Sequence, residues 1–259
     1  MPDAALAGAL PGGAPHLDPP PVREPVPVLS ALRPVFSGGG LRPGSLVGLD
    51  GPGAASLGLA LVAGASEGGG WCGVVGLPDF GVVAAVDMGA SPERLLLVDE
   101  PGERWPDVVA ALIEAVDLVL LRTSGPPPAA AVRRLSALAR KHGCVLTLTG
   151  AGWPGTRLRL RLDEAVWEGL GDGHGLLRGR RVQVTATGPD APQGRRAEVW
   201  LPGPDGRVAP AGTAPRRPAL EVVPGDGGPG VGGRGDGGRG VPGRRPAAPS
   251  GLDGHGGAA

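Results

Sequence analysis

The run Leu49-Asp50-Gly51-Pro52-Gly53-Ala54-Ala55-Ser56-Leu57-Gly58 stands between a short apolar segment and a small-residue, helix-compatible one. A phosphate-binding loop occupies that place in a strand–loop–helix unit, and a working one reads G-x-x-x-x-G-K-[ST]. Its backbone N–H groups cradle phosphate, its Lys neutralises charge and its hydroxyl holds magnesium. Aligned on that pattern, Gly51 is the first glycine, Ser56 replaces the second, Leu57 replaces the Lys and Gly58 the hydroxyl. A helix N-terminus there still favours an anion, but the side-chain charge and the metal ligand are missing. Taken alone, such a turn reads as an ordinary tight connection.

The other chemistry-bearing residues are sparse. Asp172 and His174 invite an acid–base reading, but they sit among glycines, where polar side chains bond the local backbone. No third ligand or nucleophile accompanies them, so neither a metal site nor a hydrolase is supported. Cys72 and Cys144 stand singly in apolar runs and read as small, reduced core residues. Arg157, Arg159 and Arg161 form one face of an alternating RLRLRL run, and with Arg178, Arg180 and Arg181 they could make a basic patch. A solvated sheet face is the plainer reading than DNA contact, because no Tyr or Phe nearby supplies a stacking platform. Trp153, Trp167 and Trp200 read as packing residues; one of them exposed would mark a partner interface.

The elements that must position these residues follow from apolar periodicity. Strands are expected at 45–50, 71–77, 95–98, 117–121 and 145–149, alternating with helices at 54–65, 80–88, 106–116 and 129–142. That rhythm predicts a mainly parallel sheet with crossover helices. Continuous apolar runs such as LLLV and DLVLL fit strands buried on both faces. The helix over 129–142 has a basic face and ends at Gly143 as a C-cap. The pattern then changes to strands at 157–162, 165–168, 181–186 and 197–201 separated by glycine-rich turns, which predicts an antiparallel extension.

Composition sets the outer limits. Residues 1–27 carry eight prolines and are expected to be a disordered arm. Residues 28–202 are expected to form the domain. Residues 203–259 hold 18 Gly and 9 Pro, too few apolar groups to offset ordering entropy, and are expected to be a disordered tail. Formal net charge is zero, which gives no whole-chain argument for nucleic acid. With no basic start before an apolar run and no eighteen-residue apolar stretch, a cytoplasmic protein without a membrane partner is expected.

Several segments resemble the RecA family. Gly39-Gly40-Leu41-Arg42-Pro43-Gly44-Ser45 resembles its lead into the first strand, and Gly51-Pro52 its loop opening. Asp87-Met88-Gly89-Ala90 followed by Arg94-Leu95-Leu96 resembles a further segment of the same core, and the whole resemblance spans Val26 to Leu201. It implies an α/β fold: a RecA-like P-loop ATPase core, its mainly parallel sheet flanked by helices, with antiparallel strands at the C-terminal end. It also locates the losses. Pro78 falls where the family has its catalytic acid, with Asp79 beside it, and Arg122 falls where it has the metal-binding acid. The connections at 123–128 and 150–156 are short where the family has long DNA-holding loops.

Within that family the chain resembles the actinobacterial ImuA type, on the runs Trp167-Glu168-Gly169-Leu170-Gly171-Asp172-Gly173-His174-Gly175 and Arg178-Gly179-Arg180-Arg181-Val182. Trp153-Pro154-Gly155 and Trp71-Cys72 carry the same resemblance. It implies a non-catalytic accessory protein of DNA-damage-induced translesion synthesis that docks an ImuB-type Y-family homologue and an error-prone polymerase. No cofactor, metal or catalytic residue is expected. Two alternatives are a weak ATP-binding RecA-family ATPase in DNA repair and a SulA-like inhibitor of cell division.

Overall fold

Leu- and Val-rich strands such as Leu118–Arg122 bear apolar groups on both sides and must be covered on both. The computed structural model, which describes residues 23–150, 152–170 and 175–212, meets that need with helices on the two faces of one nine-stranded sheet. In chain order the elements are β1 (Leu46–Asp50), α1 (Ala54–Glu67), β2 (Cys72–Val75), α2 (Val82–Asp87), β3 (Leu95–Val98), α3 (Trp105–Ala115) and β4 (Leu118–Arg122). They continue with α4 (Ala129–His142), β5 (Val145–Thr149), β6 (Leu158–Leu170), β7 (Gly175–Gly188), β8 (Ala191–Trp200) and β9 (Ala209–Pro210). The spatial order is β3-β2-β4-β5-β1-β6-β7-β8-β9. Strands β3 to β6 in that order run parallel, and β7, β8 and β9 continue antiparallel. This is the α/β architecture that the resemblance implies: a mainly parallel sheet flanked by helices, with antiparallel strands at the C-terminal end.

Two cores flank the sheet. On one face Leu57, Leu61 and Ala65 of α1 pack with Val47, Leu49, Cys72, Val74 and Leu120. On the other, Val109 and Ile113 of α3 and Val132 and Leu135 of α4 pack with Leu46, Val119, Leu121 and Leu148. Helix α1 buries small residues on almost every side, because the segment leading into the domain crosses its back. Helix α4 keeps its basic face in solvent, is tied to α3 by Arg134–Asp107 at 2.8 Å, and ends at Gly143 in the left-handed region.

The packed domain is longer than composition suggests. Val26 and Leu41 exchange backbone hydrogen bonds at 2.8 and 2.9 Å, and Val26 and Val28 are buried, so residues 23–27 belong to the fold. Proline forbids a helix there but not packed, extended chain. At the far end β9 pairs with Val199 and Trp200 of β8, so residues 203–212 are also part of the domain. The rest of the expected arm and tail, residues 1–22 and 213–259, and the candidates Asp172 and His174 lie outside the described residues.

The late strands also differ. The two strands expected at 157–162 and 165–168 are one strand, β6, with a bulge between Asp163 and Val166 at Glu164, whose φ is 50°. β7 and β8 extend well past their apolar stretches, because backbone pairing in an antiparallel ribbon does not need an apolar side chain at every other position. No helix among the described residues is long and apolar enough to cross a membrane.

Candidate functional site

The loop at Gly51–Gly58 sits where the sequence places it, between β1 and α1 at the carboxyl end of a strand flanked by β5 and β6. Gly51 (φ 73°) and Gly53 (φ 89°) take left-handed conformations that let the chain reverse into the helix. The Ala54 N–H donates to Gly51 O at 3.3 Å and the Leu57 N–H to Gly53 O at 3.1 Å. Gly51, Pro52 and Ala55 are exposed, with Gly53, Ala54 and Ser56 half-buried. The chain thus makes a tight turn from strand into helix.

Its chemistry does not fit magnesium–ATP. Leu57 is 0% exposed and belongs to the core. A Cβ on Gly58 would lie 3.0 and 3.1 Å from the two methyls of Leu120 and 3.5 Å from Leu49, so the hydroxyl position is closed by packing. At Gly53 a Cβ would meet a Leu162 methyl at 2.5 Å, which shows how tightly β6 lies against the turn. Asp50, just before the loop, is held by Arg159 at 3.1 Å.

The ends of β2 and β4 supply the other two positions. Pro78 is exposed and carries no acid. Arg122 turns back on β2: its Nε donates to Gly76 O at 3.1 Å, and its two Nη atoms donate to the Asp79 carboxylate at 2.8 and 3.4 Å. That hydrogen bonding, joined by the Asp79 backbone and the Arg122 charge, holds the Asp79 carboxyl below the usual carboxylate range. Asp79 is therefore engaged by Arg122, the residue at the position where the resemblance implies a metal-binding acid. Glu67, which ends α1 far from the Gly51 turn, lies beside Gly89. Among the described residues no three His, Cys, Asp or Glu side chains cluster as a metal site would require.

The six arginines of the basic patch are dispersed in role. Arg157 pairs with Asp190 at 2.6 Å, Arg159 with Asp50 at 3.1 Å and Arg161 with Asp163 at 2.8 Å. β7 pairs so that Arg181 shares their face, near Glu168 at 4.0 Å, whereas Arg178 and Arg180 fall on the opposite row. Arg180 donates through Nε to Leu201 O at 2.9 Å and lies over the Trp167 ring, 5.1 Å from its centroid. Burial lowers its guanidinium pKa from the ordinary value. These residues do not form one continuous basic surface.

Of the three late tryptophans, Trp153 and Trp200 are buried, whereas Trp167 is 49% exposed. It lies beyond the last β7–β8 pair, Arg181↔Trp200, where β6 and β7 continue as a two-stranded ribbon. Val166 and Leu177 on the same ribbon are also about half exposed. The Arg122–Asp79 pair and this ribbon are the features that spacing alone did not bring out: the first joins residues 43 apart, and the second depends on where β8 stops.

Residues 34–155 match the family model described as the MT3502 N-terminal domain, which ends just before β6. The chain is similar to the protein described as "Uncharacterized protein Rv3395c" of Mycobacterium tuberculosis (strain ATCC 25618 / H37Rv), with 36% identity over 180 residues, covering 62% of this chain and 88% of the relative. Among solved structures it is similar to the RadB recombinase, at 18% identity and a TM-score of 0.48, covering 67% of this chain and 93% of that one.

Proposed function

The chain belongs to the family of Rv3395c of Mycobacterium tuberculosis, and from that premise we propose a non-catalytic role. The protein is a RecA-like scaffold that docks subunits of an error-prone translesion polymerase assembly induced by DNA damage, with an ImuB-type Y-family homologue as its partner. The observation that carries the non-catalytic half is the state of four positions. A buried leucine, a packed glycine, a proline and an ion-paired arginine stand where charge, hydroxyl and two acids would be needed. Without them the loop has no side chain to neutralise a triphosphate and no group to activate water.

Docking is supported by the β6–β7 ribbon. An aromatic side chain left half in solvent is the composition of an interface anchor, while Val166, paired with Arg181, is exposed on the ribbon's other face. The test is capture of the purified Y-family homologue and error-prone polymerase from the same genome by the full chain and by Trp167→Ala, together with a magnesium-dependent ATPase assay. Capture by the full chain, its loss in Trp167→Ala and no turnover are expected. Turnover that disappears on changing the Gly51–Gly58 loop would instead establish the weak ATPase.

A further inference from the structure

The glycine-rich turn Gly38-Gly39-Gly40 and the Leu41-Arg42-Pro43-Gly44 run after it have no part in the Gly51–Gly58 loop. Of these, Gly38, Gly40, Leu41, Arg42 and Pro43 line a cleft of about 650 Å³ at the amino-terminal ends of β1 and β6 and beside the end of α4, at the opposite end of the sheet. Arg23, Arg42, Arg140 and Lys141 all reach it. Arg140 and Lys141 occupy the last turn of α4, where cations also complement the helix dipole. That accounts for two of the four. Arg23 and Arg42 come from the segment that leads into the domain, and Arg23 is held there by its hydrogen bond to Lys141 O at 3.0 Å.

Counter-charge is scarce at this cleft. Its one lining acid is Asp190, which already accepts Arg157 at 2.6 Å and stands 3.8 Å from Arg42. Among the described residues no salt bridge reaches Arg23, Arg140 or Lys141. Cations gathered without partners raise the local potential and favour an anion between them. Glycines on the rim allow close approach to the backbone, and buried Phe36 and Leu158 give the cleft an apolar floor. A single carboxylate would leave most of this charge unmatched, whereas two linked phosphates carry roughly three negative charges near neutral pH.

We propose that this cleft binds a condensed-phosphate ligand, the phosphates facing Arg23, Arg42, Arg140 and Lys141 and any organic group resting on Phe36 and Leu158. The inference is independent of the docking role, since it concerns the other end of the sheet. The experiment is titration calorimetry of the full chain with pyrophosphate and, separately, with ADP, both without magnesium and at physiological salt. Saturable binding of at least one is expected. ADP binding more tightly than pyrophosphate assigns part of the affinity to the apolar floor, and equal binding assigns recognition to the phosphates alone.

Each charge-assisted contact removed weakens binding about tenfold, so Arg42→Ala and Lys141→Ala, both at exposed positions, each lower affinity by that factor with unchanged melting. Arg161→Ala, beside the Gly51 turn, leaves it unchanged. No heat at millimolar ligand overturns the proposal. So does affinity that survives Arg42→Ala and Lys141→Ala together, or that falls in Arg161→Ala.

Discussion

A threonine at position 58 would put back a hydroxyl, and it has nowhere to go. With Leu120 methyls 3.0 and 3.1 Å from where its Cβ would stand, Gly58→Thr overpacks the contact between α1 and β4 and is expected to cost about 1–3 kcal/mol. Leu57→Lys removes a fully buried side chain and sets an ammonium in its place, at a cost of about 2–5 kcal/mol for lost packing alone. Restoring the motif therefore destabilises the protein, which urea unfolding of each variant measures; unchanged midpoints would mean that the loop is open. The two thiols make a second prediction. Burial, then the Asp117 charge, pushes Cys72 up to about 12, and burial raises Cys144 as well. Iodoacetamide at pH 8 should leave both untouched in the native protein and modify both in urea. Because the folded thiols hold their protons above the ordinary value of 9.0, their contribution to stability is complete below that pH and declines as pH rises from there toward 12.

The elements were legible where one physical rule governed them. β1, β2, β4 and β5 announce themselves as apolar runs because both faces are covered; the equally apolar LLLV run of β3 is instead a sheet edge, where Leu96 and Leu97 stay 39% and 44% exposed, and Leu158, Leu160 and Leu162 alternate with arginines because no helix covers the other face of β6. The ribbon was not legible. Its pairing is held by backbone, and its outward residues carry no periodic signal, so the extents of β7 and β8 were hidden in polar and glycine-rich sequence. The four substituted positions of the candidate site were readable one by one, but the Arg122–Asp79 pair needed the register of β2 against β4. The ribbon's outward position also has an energetic consequence. Trp167→Ala should leave the unfolding midpoint nearly unchanged, while Leu160→Ala, at 1% exposure, should lose about 2–5 kcal/mol. An equal loss in both would show that Trp167 is a packing residue rather than an anchor.

At the scale of the whole molecule, protection from hydrogen exchange should rank by depth in the sheet. Amides of Val47–Leu49, Leu118–Leu121 and Val145–Leu148 lie on the inner strands and should exchange last, with β3 and β9 at the edges exchanging first. Fast exchange in β1 would contradict a central first strand. One seam joins the two ends of this body. The backbone of Val28 and Leu29 rests directly on Gly64 of α1, and Pro27 rests on Gly68 one turn later, with no room for a methyl at either glycine. The strap that carries Arg23 is thus clamped to the helix whose first turn is the Gly51–Gly58 loop. A methyl added at Gly64 or Gly68 would therefore push the strap that carries Arg23 off the helix.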